Sequence, residues 1–238
     1  MSLYRDQGIV LRTYKLGEAD RIVVFVTKGH GKVRAVAKGV RKTKSKFGAR
    51  LEPTSHVAVQ LYEGRELDIV TQAETLDHFK AIRGDLERIG AAAAMLEAVD
   101  HLSQEGEINP QLYRMLLGAL RTLAGHNAPL VTPSFFLKLL ALEGFGMIVD
   151  ECMACGATTG LEAVDVDAGG TLCREHRQGV AVSAEGLGLL RQILGGQLGA
   201  ALNEPESPAT HEVQALATNA LEHHLERRLR SVTLLDRG

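Results

Sequence analysis

Apolar and polar residues alternate along the first 80 residues in short runs that are rich in β-branched side chains. Runs of this kind, separated by glycine-containing turns such as Lys28-Gly-His-Gly31, predict β-strands. The predicted strands are Gly8–Tyr14, Ile22–Val26, Val33–Ala37, His56–Tyr62 and Leu67–Thr71. Several short strands without helical periodicity between them favour a small closed barrel of the OB-fold type. The alternation by itself leaves an open sheet as the other possibility.

The period of the apolar positions becomes helical from about residue 81. Residues 85–103 carry apolar side chains three and four positions apart, which is typical of a helix. Three later segments begin with a capping residue followed by proline, the usual start of a helix. The further predicted helices are 111–124, one that starts at Thr132-Pro133 and stops at Gly144, 183–194, and one from Ser207-Pro208 to Arg230.

Residues 150–180 follow neither pattern, and they contain all three cysteines of the chain. Cys152-Met-Ala-Cys155 is followed, after 17 residues, by Cys173-Arg-Glu-His176. Two pairs of ligands with this spacing complete the tetrahedron that Zn²⁺ prefers, and Gly156 suits the tight turn after the first pair. Because four protein ligands leave no open position for water, we predict one structural zinc ion held by Cys152, Cys155, Cys173 and His176.

These patterns together predict an α+β multidomain protein, with an N-terminal OB-fold β-barrel followed by an all-α domain that carries a zinc-finger insert. The predicted boundaries are 1–80 for the barrel, 81–149 and 181–238 for the two parts of the helical domain, and 150–180 for the insert.

The net charge of −2 conceals an uneven distribution along the chain. Residues 1–80 contain 15 Lys and Arg against 9 Asp and Glu, whereas the remaining residues contain 12 against 20. Such asymmetry indicates a polyanionic partner for the N-terminal part. The first 79 residues also hold six of the ten aromatic residues, which are predicted to fill a small β-core.

The excess of positive charge is concentrated between Lys28 and Arg50, where nine cations occur without one acidic residue. Residues 38–50 have the composition of a mobile loop, which can neutralise several phosphates at once. Phe47 lies within that loop, where it could stack on an unpaired base. The predicted DNA-binding residues are Lys28, Lys32, Arg34, Lys38, Arg41, Lys42, Lys44, Lys46, Phe47 and Arg50. Cations of this kind do not distinguish DNA from RNA.

Several functional classes have no support in the sequence. It lacks a Walker A loop, a GxSxG elbow, an HExxH helix and an acidic set for two catalytic metals, so we expect no enzymatic activity. No apolar run is long enough for a membrane span, and we find no signal peptide. We therefore expect a cytoplasmic protein with reduced cysteines, and the predicted DNA binding implies that it associates with the nucleoid.

The ordered motifs resemble the RecO family of bacterial recombination-mediator proteins over nearly the whole chain. The resemblance rests on Gly17-Glu-Ala-Asp-Arg-Ile-Val23, Ala37-Lys-Gly-Val-Arg-Lys42, Ser45-Lys-Phe47, Leu51-Glu-Pro53, Leu139-Leu-Ala-Leu-Glu-Gly-Phe-Gly146 and Cys152-Met-Ala-Cys-Gly156. The family's zinc sites often use four cysteines, whereas His176 stands at the fourth position here.

The resemblance implies an OB-fold, a helical domain with a zinc finger, and a role in DNA repair and recombination. It implies binding of single- and double-stranded DNA and annealing of complementary strands. With RecR, such a protein helps to load RecA onto strands coated with single-strand binding protein, whose C-terminal tail it contacts. The alternative is a zinc-containing adaptor for protein interactions with weak, non-specific nucleic-acid binding. Oligomeric state, DNA structure preference and the residues that contact the tail do not follow from the sequence.

Overall fold

The computed structural model describes residues 2–231 of the chain. These residues form two compact units, the first made of residues 2–125 and 230–231 and the second of residues 126–229. The predicted change from strands to helices near residue 80 therefore lies inside the first unit. The division into domains at residues 80, 149 and 180 stays a prediction.

The first unit begins with five strands, β1 (Leu3–Leu16), β2 (Asp20–Thr27), β3 (Gly31–Ala37), β4 (His56–Tyr62) and β5 (Asp68–Asp77). They close into a barrel in the order β1-β2-β3-β5-β4, with β4 pairing back onto β1. All pairs are antiparallel except β3 with β5, which run parallel. The predicted OB-like barrel is thus confirmed, and the open sheet is excluded.

The barrel is filled by the side chains that point inward from every strand. Its core is composed mainly of β-branched and aromatic residues, as the alternating pattern predicts, together with alanine and leucine. The buried core residues are Val10, Val23, Phe25, Val33, Ala35, Ala37, Val40, Phe47, Leu51, Val57, Val59, Leu61 and Val70. Three of these, Val40, Phe47 and Leu51, come from the segment between β3 and β4, so this connection is part of the core.

Three helices, α1 (Lys80–Arg83), α2 (Leu86–Leu102) and α3 (Pro110–Gly125), complete the first unit. The Asp85 side chain caps α2 by accepting from the backbone N–H groups of the next turn. Near the middle of α2, the Glu97 carboxylate accepts hydrogen bonds from the backbone of Arg230 and Ser231. These bonds attach the last described residues to the first unit.

The second unit contains four helices and a small sheet. The helices are α4 (Val131–Leu142), α5 (Ala184–Leu194), α6 (Leu198–Ala201) and α7 (Pro208–His224), and the sheet has the order β7-β6-β8, made of β6 (Leu161–Asp165), β7 (Gly170–Cys173) and β8 (Val180–Ala181). Ser207 and Thr210 form a capping box at the start of α7, as expected from Ser207-Pro208.

The predicted extension of the last helix to Arg230 is wrong. Helix α7 ends at His224, and Glu226 then adopts a left-handed backbone conformation with φ of 50°. The Leu229 N–H donates to the Glu222 side chain at 2.8 Å, which folds the chain back across the helix end. In the described part of the chain, no helix is long and apolar enough to cross a membrane.

Candidate functional site

Residues 38–50, which we call the basic loop, are a succession of turns attached to the barrel. Its first residues are bound to the β1–β2 turn, because the Arg41 N–H donates to the Ala19 carbonyl at 2.9 Å. The Gly39 N–H also donates to the Asp20 carboxylate at 2.7 Å. At its other end, a 3₁₀ turn from Gly48 to Leu51 leads towards β4. The loop is therefore more ordered than its composition predicts.

Burial of Phe47 explains this order, and it contradicts the predicted stacking of Phe47 on a base. Its ring is only 1% exposed and packs in the barrel core with Leu51. A buried aromatic ring cannot stack on a base without leaving the core, so the predicted role of Phe47 in DNA binding is wrong. The ring instead holds the loop against the barrel, with Lys46 Nζ 4.9 Å from its centroid.

The charged side chains of the basic loop point to solvent. Six of them are exposed, and within residues 2–231 none lies at ion-pair distance from a carboxylate: Lys38, Arg41, Lys42, Lys44, Lys46 and Arg50. Several donate instead to backbone carbonyls, such as Lys46 to Thr71 at 2.9 Å and Arg50 to Lys46 at 2.7 Å. Carbonyl contacts orient these cations but leave their charge uncompensated.

Two other predicted cations are already engaged with carboxylates. Lys32 Nζ lies 2.9 Å from Asp100, and the two side chains are 12% and 4% exposed. Lys32 is therefore a mostly buried partner of α2 whose charge is compensated by Asp100, and the structure does not support its predicted DNA contact. Arg34 is exposed but lies 3.3 Å from Glu105, so its charge is partly compensated.

The remaining predicted cation, Lys28, is exposed but separated from the basic loop. It lies in the turn between β2 and β3, whereas the loop begins at the other end of β3. A strand of this length spans roughly 20 Å. The structure thus gathers six of the predicted DNA-binding residues in one loop and leaves Lys28 at the opposite end of the barrel.

The prediction that the six N-terminal aromatic residues fill the β-core is wrong for Tyr14 and Tyr62, which are exposed, and Tyr14 lies near the loop. Tyr14 on β1 is 40% exposed, and the Arg12 guanidinium lies 4.7 Å from its ring centroid. The sequence Arg12-Thr-Tyr-Lys15 places an aromatic residue among cations, which is typical of a nucleic-acid contact. The exposure of Tyr14 could not be predicted, because the pattern alone does not say which face of the barrel a strand residue occupies.

The four predicted zinc ligands lie together in the second unit, as the spacing predicts. Their ligand atoms are all within 4.8 Å of one another. Cys155 Sγ is 3.9 Å from Cys173 Sγ, which is 3.3 Å from His176 Nδ1. Sulfur atoms bound to one tetrahedral zinc ion at 2.3 Å lie about 3.8 Å apart. The cluster therefore has the dimensions of a four-coordinate metal site.

Local backbone geometry positions these ligands. Gly156 has φ of 73°, and its N–H donates to the Cys152 carbonyl at 2.7 Å, which closes the expected tight turn. Cys173 ends β7, and a 3₁₀ turn then brings His176 back towards its sulfur. Both halves of the site are thus supported by the small sheet.

Hydrogen bonds to the sulfur atoms prepare two of the thiols for deprotonation. The His176 N–H holds the pKa of Cys173 below its ordinary value, against the opposing effect of burial. Burial also raises the pKa of Cys152, but backbone N–H groups, first that of Cys173, outweigh it and lower this pKa. The Ala157 N–H lowers the pKa of Cys155, whereas the neighbouring sulfurs raise it overall. A cation in the cluster would favour all three thiolates.

Comparisons with known proteins agree over the full length of the chain. Residues 1–79 match the family model described as "Recombination protein O N terminal", and residues 83–233 match "Recombination protein O C terminal". The chain is 44% identical to a protein of Frankia casuarinae and 45% identical to one of Streptomyces griseus, both named DNA repair protein RecO. Each alignment covers 100% of both chains.

Proposed function

Because the chain belongs to the RecO family of DNA repair proteins, we propose that it is a recombination mediator that binds DNA through the basic loop. The observation that carries this proposal is the set of six exposed cations without carboxylate partners among the described residues. Each phosphate that such a loop neutralises releases condensed counterions, which favours binding. Arg34 and Lys28 extend the positive surface along and beyond β3.

The mechanism that we propose is electrostatic and requires no chemical step. Two complementary strands repel each other through their phosphates. A loop that neutralises phosphates on both strands lowers this repulsion and keeps the bases near enough to pair. Because the contacts are to the backbone, the protein binds single- and double-stranded DNA without reading sequence. The turns fixed by Phe47 and Leu51 hold the cations in place, which reduces the entropy lost on binding.

Because its motifs resemble those of the family, we propose that the protein binds RecR and the C-terminal tail of single-strand binding protein. Through these partners it acts indirectly on RecA. The more acidic residues 81–238 contribute little to the attraction of DNA, which leaves the helical part available for protein contacts. The zinc-containing adaptor remains the alternative function.

We also propose that Cys152, Cys155, Cys173 and His176 hold one structural zinc ion. The proposal is supported by the mutual distances of their ligand atoms and by the soft, borderline character of three sulfurs and one imidazole nitrogen. A zinc ion bound there would cross-link the turn at Cys152 to the end of β7. The insert contains only three short strands, so its fold would depend on that link.

The binding of labelled single-stranded DNA across a salt series tests the role of the basic loop. We expect the variant with Arg41, Lys42, Lys44 and Lys46 changed to Ala to bind at least about tenfold more weakly at moderate salt. The slope of log affinity against log salt should become shallower by up to about 3, at roughly 0.7 per phosphate contact.

A matched control removes four exposed cations elsewhere, by changing Lys80, Arg114, Arg177 and Arg228 to Ala. Because the net charge changes equally in both variants, the control should retain most of the affinity and slope. If both variants behave alike, general charge and not the loop determines binding. If neither variant alters an already weak affinity, the adaptor function is favoured. Strand annealing should fall with affinity in the loop variant alone.

A further inference from the structure

The outer face of the barrel carries a row of apolar side chains beside the basic loop. Tyr14 on β1 is the direct partner of Ile22 on β2, and Ile22 is the partner of Val36 on β3. Directly paired residues project to the same face of a sheet. Their chain neighbours Val23 and Ala35 belong to the barrel core, so the row faces outward. All its members are at least partly exposed.

This row continues around the barrel through Ile69 on β5 to Tyr62 on β4, which is 38% exposed. The two exposed tyrosines at its ends differ in electrostatic surroundings. Tyr62 leads into residues 63–68, which contain three carboxylates and one arginine. Tyr14 lies between Arg12 and Lys15, three residues before the turn that binds the basic loop. A polyanion is therefore favoured at the Tyr14 end and opposed at the Tyr62 end.

The ring of Tyr14 is held in place from inside the protein. Arg12 Nε lies 2.7 Å from the Asp100 carboxylate, which is 4% exposed. This anchored guanidinium lies over the Tyr14 ring. Because the arginine is fixed by a buried charge, one side of the ring is supported. Because Tyr14 is 40% exposed, we place a planar group from solvent on the other side of the ring.

We propose that Tyr14 is the residue on which an unpaired base of single-stranded DNA stacks, with the strand crossing the outer faces of β1, β2 and β3. This rests on the proposed DNA-binding function and names the form of DNA that the site prefers. The cations of the basic loop hold the phosphates, and Ile22 and Val36 provide an apolar surface for neighbouring bases. A paired duplex gains nothing from Tyr14, since its bases are already stacked.

The chain contains no tryptophan, so Tyr14→Trp introduces a single indole whose fluorescence a stacked base quenches. The probes are an oligothymidine and an abasic oligomer of the same length and charge, with binding followed separately by anisotropy of an end label. We expect oligothymidine to quench the indole strongly and the abasic oligomer to bind with little quenching. Tyr62→Trp is the matched control at the acidic end of the row, and its fluorescence should be unaffected by either oligomer.

Affinity gives a second, independent readout. Tyr14→Leu should weaken oligothymidine binding roughly tenfold, the equivalent of one lost stacking contact, and leave abasic binding and the salt slope unchanged. Tyr14→Phe keeps the ring and should retain the affinity. Equal quenching by both oligomers, equal quenching at positions 14 and 62, or unchanged affinity of Tyr14→Leu would each overturn the stacking role while phosphate binding stands. If neither oligomer binds the unmodified protein, the proposed DNA binding itself is wrong.

Discussion

At the scale of single residues, burial decides which aromatic and cationic side chains can take part in binding. Phe47 and Lys32 both lie in the acid-free stretch between Lys28 and Arg50. Phe47 nevertheless fills the barrel core, and Lys32 pairs with Asp100. The sequence could not distinguish them, because each stands in an alternating or turn-like context that allows either orientation. Register and closure of the barrel, which depend on contacts distant in sequence, determine which way each side chain points.

A buried histidine gives a pH dependence at this scale. His56 is 4% exposed, and its Nε2 lies 2.7 Å from the Tyr113 hydroxyl. Burial, with the nearby charge of Arg121, lowers the pKa of His56. Burial likewise raises the pKa of Tyr113 to about 12, so its hydroxyl stays protonated. In the unfolded chain His56 takes up a proton near pH 6.5, whereas in the folded chain it does so only at lower pH.

The unfolded state therefore binds more protons as the pH falls below about 6.5, and the contribution of His56 to stability is lost in that range. We expect His56→Gln, which does not titrate but can still bond to Tyr113, to reduce the fall in the free energy of unfolding between pH 7.5 and 5.5 by about 1 kcal/mol. Urea denaturation at the two pH values measures this difference. An identical fall in both proteins would show that other groups cause the acid sensitivity.

At the scale of secondary-structure elements, local signals located most helices and strands. Asp85, Ser183 and Ser207 each cap a helix within a residue or two of the predicted start, because capping is a local interaction. Strand ends were less predictable. β1 extends back to Leu3 because residues 3–9 pair with β4 some fifty positions later. The end of α7 was also missed, since Glu226 adopts a left-handed conformation without the glycine that usually marks such an end.

The zinc-finger insert is the element whose stability should depend on a ligand. We expect about one zinc ion per chain in protein purified under reducing, chelator-free conditions. Cys173→Ala should lose the metal and make residues 150–180 sensitive to protease, because little core remains to hold β6, β7 and β8 together. His176→Cys should retain zinc, since four thiolates also complete the tetrahedron. Protein that is protease-resistant and free of metal would contradict the proposed role of zinc.

At the scale of the whole molecule, the first unit depends on a buried charge cluster between the barrel and α2. Asp100 receives Arg12 from β1 and Lys32 from β3, and the Lys32 ammonium also donates to the Asp100 carbonyl. The cluster binds α2 to β1 and β3, all of which lie in the first compact unit. The sequence shows that these three charged residues are present. It does not show that they meet, because Arg12 and Lys32 lie about 90 and 70 positions before Asp100.

Removing the carboxylate would leave Lys32 buried without a counter-charge. We expect Asp100→Ala to lower the free energy of unfolding by about 3–5 kcal/mol. The double variant Lys32→Met with Asp100→Leu should recover most of that loss, because it removes the two least exposed charges and fills the space, while Arg12, which is 46% exposed, can be solvated. Denaturant unfolding of the three proteins gives the comparison. If the single and double variants are equally unstable, shape and not charge dominates at this position.

The bonds from Arg230 and Ser231 to Glu97 have a consequence for protein synthesis. Arg230 follows Glu97 by 133 positions, so on the ribosome α2 is made on the order of ten seconds before these partners emerge. During that interval the whole second unit is translated, while the Glu97 carboxylate has only water and neighbours such as His101. The first unit is thus begun first and completed last, and a chain that terminates after residue 225 would lack the backbone partners of Glu97.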